Sequence, residues 1–341
     1  MKLNDPGLLN ILSQRENQDF WDSHPVVCAG AVLPTGPIGA AIPLVIEQAR
    51  LQRGSVAFWA RPFTGKSSFV RALKPVLRKR FPGCGIVVHE AKSNDVIAEG
   101  SFIADMLLSV DYQGKVPRDL PGKRNQIRRA LFALGAERRH VICIIDEAQE
   151  LDVQELIWLK EQANWLTEKG YKVTTVLIGQ QELLDLRDQV LSNGRSDLVK
   201  RFFLHTFEFE LIKKSPDLEP FLAGCDEDSE YPEGSGWSYT QTLWPTAFAS
   251  GFRLGNEVGR FWFAFSAVSP LARGEQGISM DYVAGALSQL ANMTRERDGE
   301  HFRPTSSDWA KAIELAGYAE RAPLVRVQEA RLRELKKVAE A

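Results

Sequence analysis

Cysteine is scarce in this 341-residue chain, and its four copies, Cys28, Cys84, Cys143 and Cys225, never approach Cys-x-x-Cys spacing. Neither a zinc site nor a disulfide framework is therefore indicated, and the five histidines also lack metal-ligand spacing. No apolar run approaches the roughly 20 residues that span a bilayer. The opening Met-Lys-Leu-Asn-Asp-Pro lacks the apolar core of a signal peptide, so a cytoplasmic protein is expected. Charge bias is missing as well: 42 Lys and Arg stand against 44 Asp and Glu. No whole-molecule field favours nucleic acid, and any such contact must come from a local basic patch.

What is present is organised around residues 55–68, Ser-Val-Ala-Phe-Trp-Ala-Arg-Pro-Phe-Thr-Gly-Lys-Ser-Ser. A buried-strand composition runs into x-x-x-x-x-Gly-Lys-Ser and then a helical pattern, which is P-loop spacing with Ala60 in place of the first glycine. Gly65 lets the backbone turn tightly. The N–H groups of Thr64, Gly65, Lys66, Ser67 and Ser68 can then point at a phosphate from a helix N-terminus, and Lys66 can reach its oxygens. The Ser67 hydroxyl can ligate Mg²⁺. Phe63 makes the loop bulkier and stiffer than such loops usually are.

Residues 141–150, Val-Ile-Cys-Ile-Ile-Asp-Glu-Ala-Gln-Glu, supply the partner. Five consecutive apolar residues fit a strand covered on both faces of a parallel sheet, with two carboxylates at its carboxyl end, where such sheets place ligands. Asp146 is expected to hold Mg²⁺ through water and Glu147 to polarise the attacking water. Further strands are expected at 86–90, 173–178 and 207–209, with helices at 37–53, 68–80, 95–110, 152–168 and 182–191 between them. The expected fold is α/β: a five-stranded parallel sheet sandwiched by helices. His89 reads as structural, and Gln180, ending the strand beside the Asp-Glu strand, is placed to reach a terminal phosphate.

Outside this core, residues 1–36 read as an arm and 216–243, rich in Asp, Glu, Pro, Gly and Ser, as an acidic insertion or linker. Residues 111–126 read as a polar loop. Helical patterns return over 244–320, at 246–270, 279–293 and 305–317, and the Phe261-Trp-Phe-Ala-Phe265 cluster reads as core rather than a stacking platform. A basic amphipathic tail is expected at 321–341. The densest positive charge lies between Lys115 and Arg139, where Lys115, Arg118, Lys123, Arg124, Arg128, Arg129, Arg138 and Arg139 face only Asp119 and Glu137. The first six are candidates for DNA contact.

Ala60 to Ser67, Ile145-Asp-Glu-Ala-Gln-Glu-Leu151, Val176-Leu-Ile-Gly-Gln-Gln-Glu-Leu183 and Lys200-Arg-Phe202 together resemble the AAA+ ATPases of the TnsC, TniB and ExeA type. The resemblance covers about residues 37–290. It implies a core at 37–215 with a small helical lid, Walker A at 60–67, Walker B at Asp146 and Glu147, a sensor at Gln180, a second sensor at Arg253, and an arginine finger at Arg201 that completes a neighbour's pocket. Arg195 and Lys200 compete for that last role. Family members in transposition form ATP-dependent rings or filaments on duplex DNA and pass target choice to a transposase. Self-association, ATP and Mg²⁺, and transposase and target-selector partners are expected on that basis. The alternatives are an ExeA-like secretion-assembly ATPase, for which no membrane helix is visible, and an initiator- or defence-type NTPase sharing the same core.

Overall fold

Strand-forming runs of Val, Ile, Phe and Thr alternate with helical segments through the middle of the chain, and the computed structural model shows how they assemble. It describes residues 6–62, 64–94, 96–268 and 277–317. Phe63 and the tail expected at 321–341 lie outside the described residues.

The chain enters through α1 (Pro6–Glu16) and α2 (Gln18–Asp22), and α3 (Gly36–Ala49) leads into β1 (Ser55–Ala60). Then follow α4 (Lys66–Arg80), β2 (Gly85–Glu90), α5 (Glu99–Ser109), α6 (Leu120–Leu134) and β3 (His140–Asp146). After α7 (Val153–Glu168) come β4 (Lys172–Gln180), α8 (Glu182–Ser192), α9 (Ser196–Leu198), a π-helical turn (Val199–Phe203) and β5 (Thr206–Phe209). The strands lie in the order β2-β3-β4-β1-β5, every pair parallel. Parallel neighbours need crossovers, so helices cover both faces.

Strand β3 shows why its sequence is continuously apolar. Val141, Cys143 and Ile145 pack into the cluster that includes α5, α6 and α7, whereas Ile142 and Ile144 pack into the one that includes α3 and α4. None of the five is more than 4% exposed, and their burial contributes on the order of 10 kcal/mol before the entropy of ordering is subtracted. Burial pushes the Cys143 thiol up to about 12, which keeps it a neutral packing group.

The described residues divide into two compact units, 37–210 and a second made of residues up to 36 together with those from 211 onward. That corrects three expectations. The N-terminal stretch is not an arm: Trp21 is buried and donates its indole N–H to Asn292 Oδ1 at 2.8 Å. Nor is 216–243 an exposed acidic linker. It forms α10 (Glu219–Glu227) and α11 (Tyr239–Leu243), and buried Asp226 accepts the amides of Leu254 and Gly255 at 2.9 and 2.8 Å. Residues 111–126 are not all loop either. Asp119 caps the start of α6 by accepting the Gly122 amide at 2.8 Å, and Pro121, needing no amide partner there, sits in the first turn.

The helix expected over 246–270 is broken into α12 (Pro245–Ala249), a 3-10 turn (Leu254–Glu257) and α13 (Val258–Val268), with Gly251 in the left-handed region between them. The unit is completed by α14 (Met280–Met293) and α15 (Ser306–Leu315). Phe261 and Phe265 are buried, and Phe261 stacks on Trp309 at 4.2 Å, while Phe263 on the opposite side of α13 is exposed. No described helix is long and apolar enough to cross a membrane.

Buried His24 in the helical unit and buried His140 in the α/β unit are both held as the neutral base. His24 Nδ1 accepts the Val26 amide at 3.1 Å, so Nε2 carries the proton toward Thr242 Oγ1 at 2.9 Å. Burial lowers its pKa to about 3 against the small opposing pull of the Tyr239 backbone. His140 is lowered to about 4 by burial and then by Lys172. Because both folded values lie below the unfolded one, their contribution to stability is complete above about pH 6.5 and is lost as pH falls toward 4. The slope is up to about 1.4 kcal/mol per pH unit for each ring. Thermal melts between pH 4.5 and 7 should show a shallower acid slope for His24→Asn than for the parent chain, and parallel curves would contradict this assignment.

Candidate nucleotide-binding site

Because β1, β3 and β4 are parallel neighbours, their carboxyl ends open at one edge of the sheet. The register pairs Ala60, the first residue of the phosphate loop, with Gln180, and Ile145, just before the acidic pair, with Leu177. β4 therefore holds Gln180 between the two motif-bearing strands. The loop after β1 closes through the Thr64 hydroxyl donating to the Arg61 carbonyl at 2.9 Å. Gly65, at φ 97°, turns the backbone into α4 in a conformation that a side chain disfavours. The first amides of α4 have no intrahelical partner and carry the positive end of its dipole.

Lys66 is buried, and its Nζ lies 3.8 Å from Glu147 Oε1. The lysine of the first motif and the second carboxylate of the other thus meet, although 81 residues apart. Asp146 ends β3 and accepts the Glu147 amide at 2.9 Å. Burial raises the Asp146 pKa, the neighbouring Glu147 carboxylate adds to this, and the Glu147 amide and Lys66 oppose it.

Glu147 itself is held in the left-handed region at φ 48°, a conformation uncommon for a non-glycine residue. Its carboxylate is fixed by two amides: Gln149 Nε2 donates to Oε2 at 2.7 Å and Gln180 Nε2 at 3.5 Å. Gln149 Oε1 in turn accepts the Gln180 backbone amide at 2.8 Å. Sequence reasoning assigned no role to Gln149, although it stands two residues after Glu147 in the Asp-Glu-Ala-Gln string. Gly179 explains itself here, since a Cβ at that position would meet Gln149 Oε1 at 2.7 Å.

The remaining expected site residues are placed differently. Ser67 is exposed on the first turn of α4, with Ser68 partly buried beside it. Arg201 lies in the π turn preceding β5, hence at the amino-terminal end of the strands, away from its own chain's phosphate loop. All three of its guanidinium nitrogens are buried without a hydrogen-bond partner, and burial and then Arg53 lower its pKa. The described conformation does not offer it outward. Arg195 is engaged with Asp197 through two bonds of 3.0 Å, and Lys200 is exposed. Arg253 belongs to the helical unit, where it donates to the carbonyls of Phe248 and Phe252 at 2.9 and 2.6 Å and lies 3.6 Å from the Phe248 ring centroid.

The basic candidates divide. Lys123 donates to the Gly100 carbonyl, Arg124 pairs with Glu99, and Arg128 donates to Gln162 Oε1 at 3.1 Å while lying over Trp165. These three fasten α6 to its neighbours. Lys115, Arg118 and Arg129 are exposed.

The family model for the AAA domain matches residues 49–186, the segment that carries both motifs and Gln180. Among solved structures, the ORC2 protein of Aeropyrum pernix is similar. Its ADP form gives a TM-score of 0.55 at 11% identity, covering 86% of this chain and 73% of that one. Its ADPNP–ADP complexes give 0.52 at 12%, covering 87% and 72%. Cdc6p from Pyrobaculum aerophilum gives 0.48 at 16%, covering 82% and 66%. No curated protein matches the chain. At such identities the likeness is one of fold. The fold is that of an AAA+ P-loop NTPase, and the matched domain, with its assembled site, makes this chain an ATPase.

Gln149→Ala removes the donor that aims Glu147 while leaving the phosphate loop intact. It should lower kcat for ATP about tenfold or more with the affinity for ATP unchanged, as separated by steady-state turnover and equilibrium nucleotide binding. An unaltered kcat would show that Gln149 does not position the carboxylate.

Proposed function

We propose that this chain is an ATP-dependent, DNA-binding AAA+ regulator of transposition of the TnsC and TniB type. In this reading it assembles on duplex DNA as a ring or helical filament and links target selection to a transposase. The observation that carries it is the meeting of Lys66, Glu147 and Gln180 at the carboxyl ends of adjacent strands, in a motif set that resembles that group. The ADP and ADPNP complexes of the similar ORC2 protein support a nucleotide as ligand.

Thr64 to Ser68 would cradle the phosphates. The oxygen donors of Ser67 and Asp146 suit Mg²⁺, and one buried lysine beside two carboxylates leaves negative charge for a cation to balance. A bound Mg²⁺ would neutralise charge developing on the phosphate oxygens. Lys66 would exchange Glu147 for those oxygens, which frees Glu147, still held by Gln149, to orient and deprotonate the attacking water. Gln180 would reach the terminal phosphate.

Arg201 would serve a neighbouring subunit's site, because its own lies at the opposite end of the sheet. An unpartnered buried guanidinium is costly, and rotation of the 199–203 turn toward an anion would relieve that cost. Arg253 would act as a second sensor. Transposase and target selector are the partners this reading implies, and a cytoplasmic setting agrees with it. An initiator-type ATPase is the second reading, favoured by the ORC2 likeness in fold.

Electron microscopy with duplex DNA should show assemblies with an ATP analogue and not with ADP. Lys66→Ala should abolish them, and Glu147→Gln should trap them with turnover lowered by about a hundredfold or more. DNA affinity should fall steeply with salt. Equal assembly by all three proteins in either nucleotide would sink the switch, and capture of a transposase only in the ATP state would separate the transposition reading from the initiator one.

A further inference from the structure

The parallel sheet has a second end, and exposed cations gather on its surface. The α3–β1 turn exposes Arg50 and Arg53, and the last turn of α4 exposes Arg78, Lys79 and Arg80. The α6–β3 turn adds Arg138 and Arg139, and the α7–β4 turn Lys169 and Lys172, all exposed. Strand order places these four loops side by side across β2, β3, β4 and β1. They come from sequence positions more than a hundred residues apart, which is why no single charge run announces them.

Among the described residues none of these nine side chains is ion-paired with a carboxylate. Arg138 donates to the Pro82 carbonyl at 3.0 Å and Lys172 to that of Arg50 at 3.3 Å, and Lys169 lies 5.8 Å from the Trp165 ring centroid. The carboxylates in or beside these four turns include Glu47, Glu137 and Glu168. Helix dipoles account for part of the pattern, since α3, α4, α6 and α7 all end here and a cation in a last turn is stabilising. Arg53, Arg138, Arg139 and Lys172 lie beyond those helix ends and are not explained that way. Between Arg80, Arg138 and Lys172 the surface dips into a cavity of about 250 Å³, walled also by Phe81, Pro82 and His140.

We infer that this amino-terminal end of the sheet grips the phosphodiester backbone of duplex DNA, with the Arg80–Arg138–Lys172 cavity seating one phosphate. The inference rests on the DNA-binding reading above and relocates its contact surface from the outer face of α6. Four adjacent parallel strands span roughly 15 Å at 4.7–4.9 Å per interval, comparable to about four nucleotides at 3.4 Å each. A row of cations of that length matches a stretch of one DNA strand. By contrast α6 has three of its cations committed to Gly100, Glu99 and Gln162.

The test compares Arg80→Ala/Arg138→Ala/Lys172→Ala with Lys115→Ala/Arg118→Ala/Arg129→Ala in the full chain, using duplex binding across a salt series with an ATP analogue. Equilibrium ATP-analogue binding serves as the folding control. The first variant should bind duplex at least about tenfold more weakly, with a salt slope smaller by about 2 to 3 and unchanged nucleotide affinity. The second should bind nearly as the parent does. A photoreactive p-benzoylphenylalanine at position 138 should crosslink to the duplex, and one at position 118 should not. Parental affinity in the first variant, or crosslinking from 118 alone, overturns the inference while the DNA-binding reading stands. A parent chain that binds no duplex in any nucleotide state overturns both.

Discussion

The polarity of the sheet is the constraint on which this structure depends. Five strands running the same way leave every strand-to-helix loop at one end and every helix-to-strand loop at the other. The first end collects the phosphate loop, the acidic pair and Gln180; the second collects Arg201 and the exposed cations of four separate turns. Hydrogen-bond register then sets which residues become neighbours. Pairing of Ala60 with Gln180 and of Ile145 with Leu177 places β4 between the two motifs rather than outside them. A slip of one residue would send each strand's apolar side chains to the wrong cluster, so the buried faces enforce the site's geometry.

At the site the ordered core holds features that are individually unfavourable. Glu147 sits at φ 48°, Lys66 is buried, and Asp146 has its pKa raised by burial. Such residues persist where the surroundings over-determine them. Here the surroundings are specific: Gln149 clamps the Glu147 carboxylate and the Gln180 amide at once, and the missing side chain of Gly179 makes room for it. The same logic at the opposite end leaves the Arg201 guanidinium buried without a partner. Among the described residues of the α/β unit, the π turn around it is where a buried cation lacks the compensation seen at Lys66.

Much of the α/β unit was legible because its signals are local. A five-residue apolar run can only be a strand covered on both faces in this setting, and Gly-Lys-Ser after a strand and before a helix has a direct backbone reason. The helical unit was less legible. Its acidic residues looked like solvated linker charges, yet Asp226 is a buried acceptor for two amides that lie 28 and 29 residues further along the chain. The N-terminal stretch read as an arm because Trp21 and His24 find their partners, Asn292 and Thr242, more than 200 residues away. Neither partnership has a period or a spacing to betray it.

The amino-acid sequence by itself determined the α/β class, the two phosphate-site motifs and the candidate role of Gln180, because chain-local stereochemistry and the spacing of apolar residues already encode them. Only the tertiary structure decided that Gln149 aims Glu147, that Arg201 is withdrawn, that half of the six basic candidates between 115 and 129 are fasteners, and that scattered arginines and lysines share one surface. Those outcomes depend on which strands lie side by side and which helix ends converge, and long-range packing sets both.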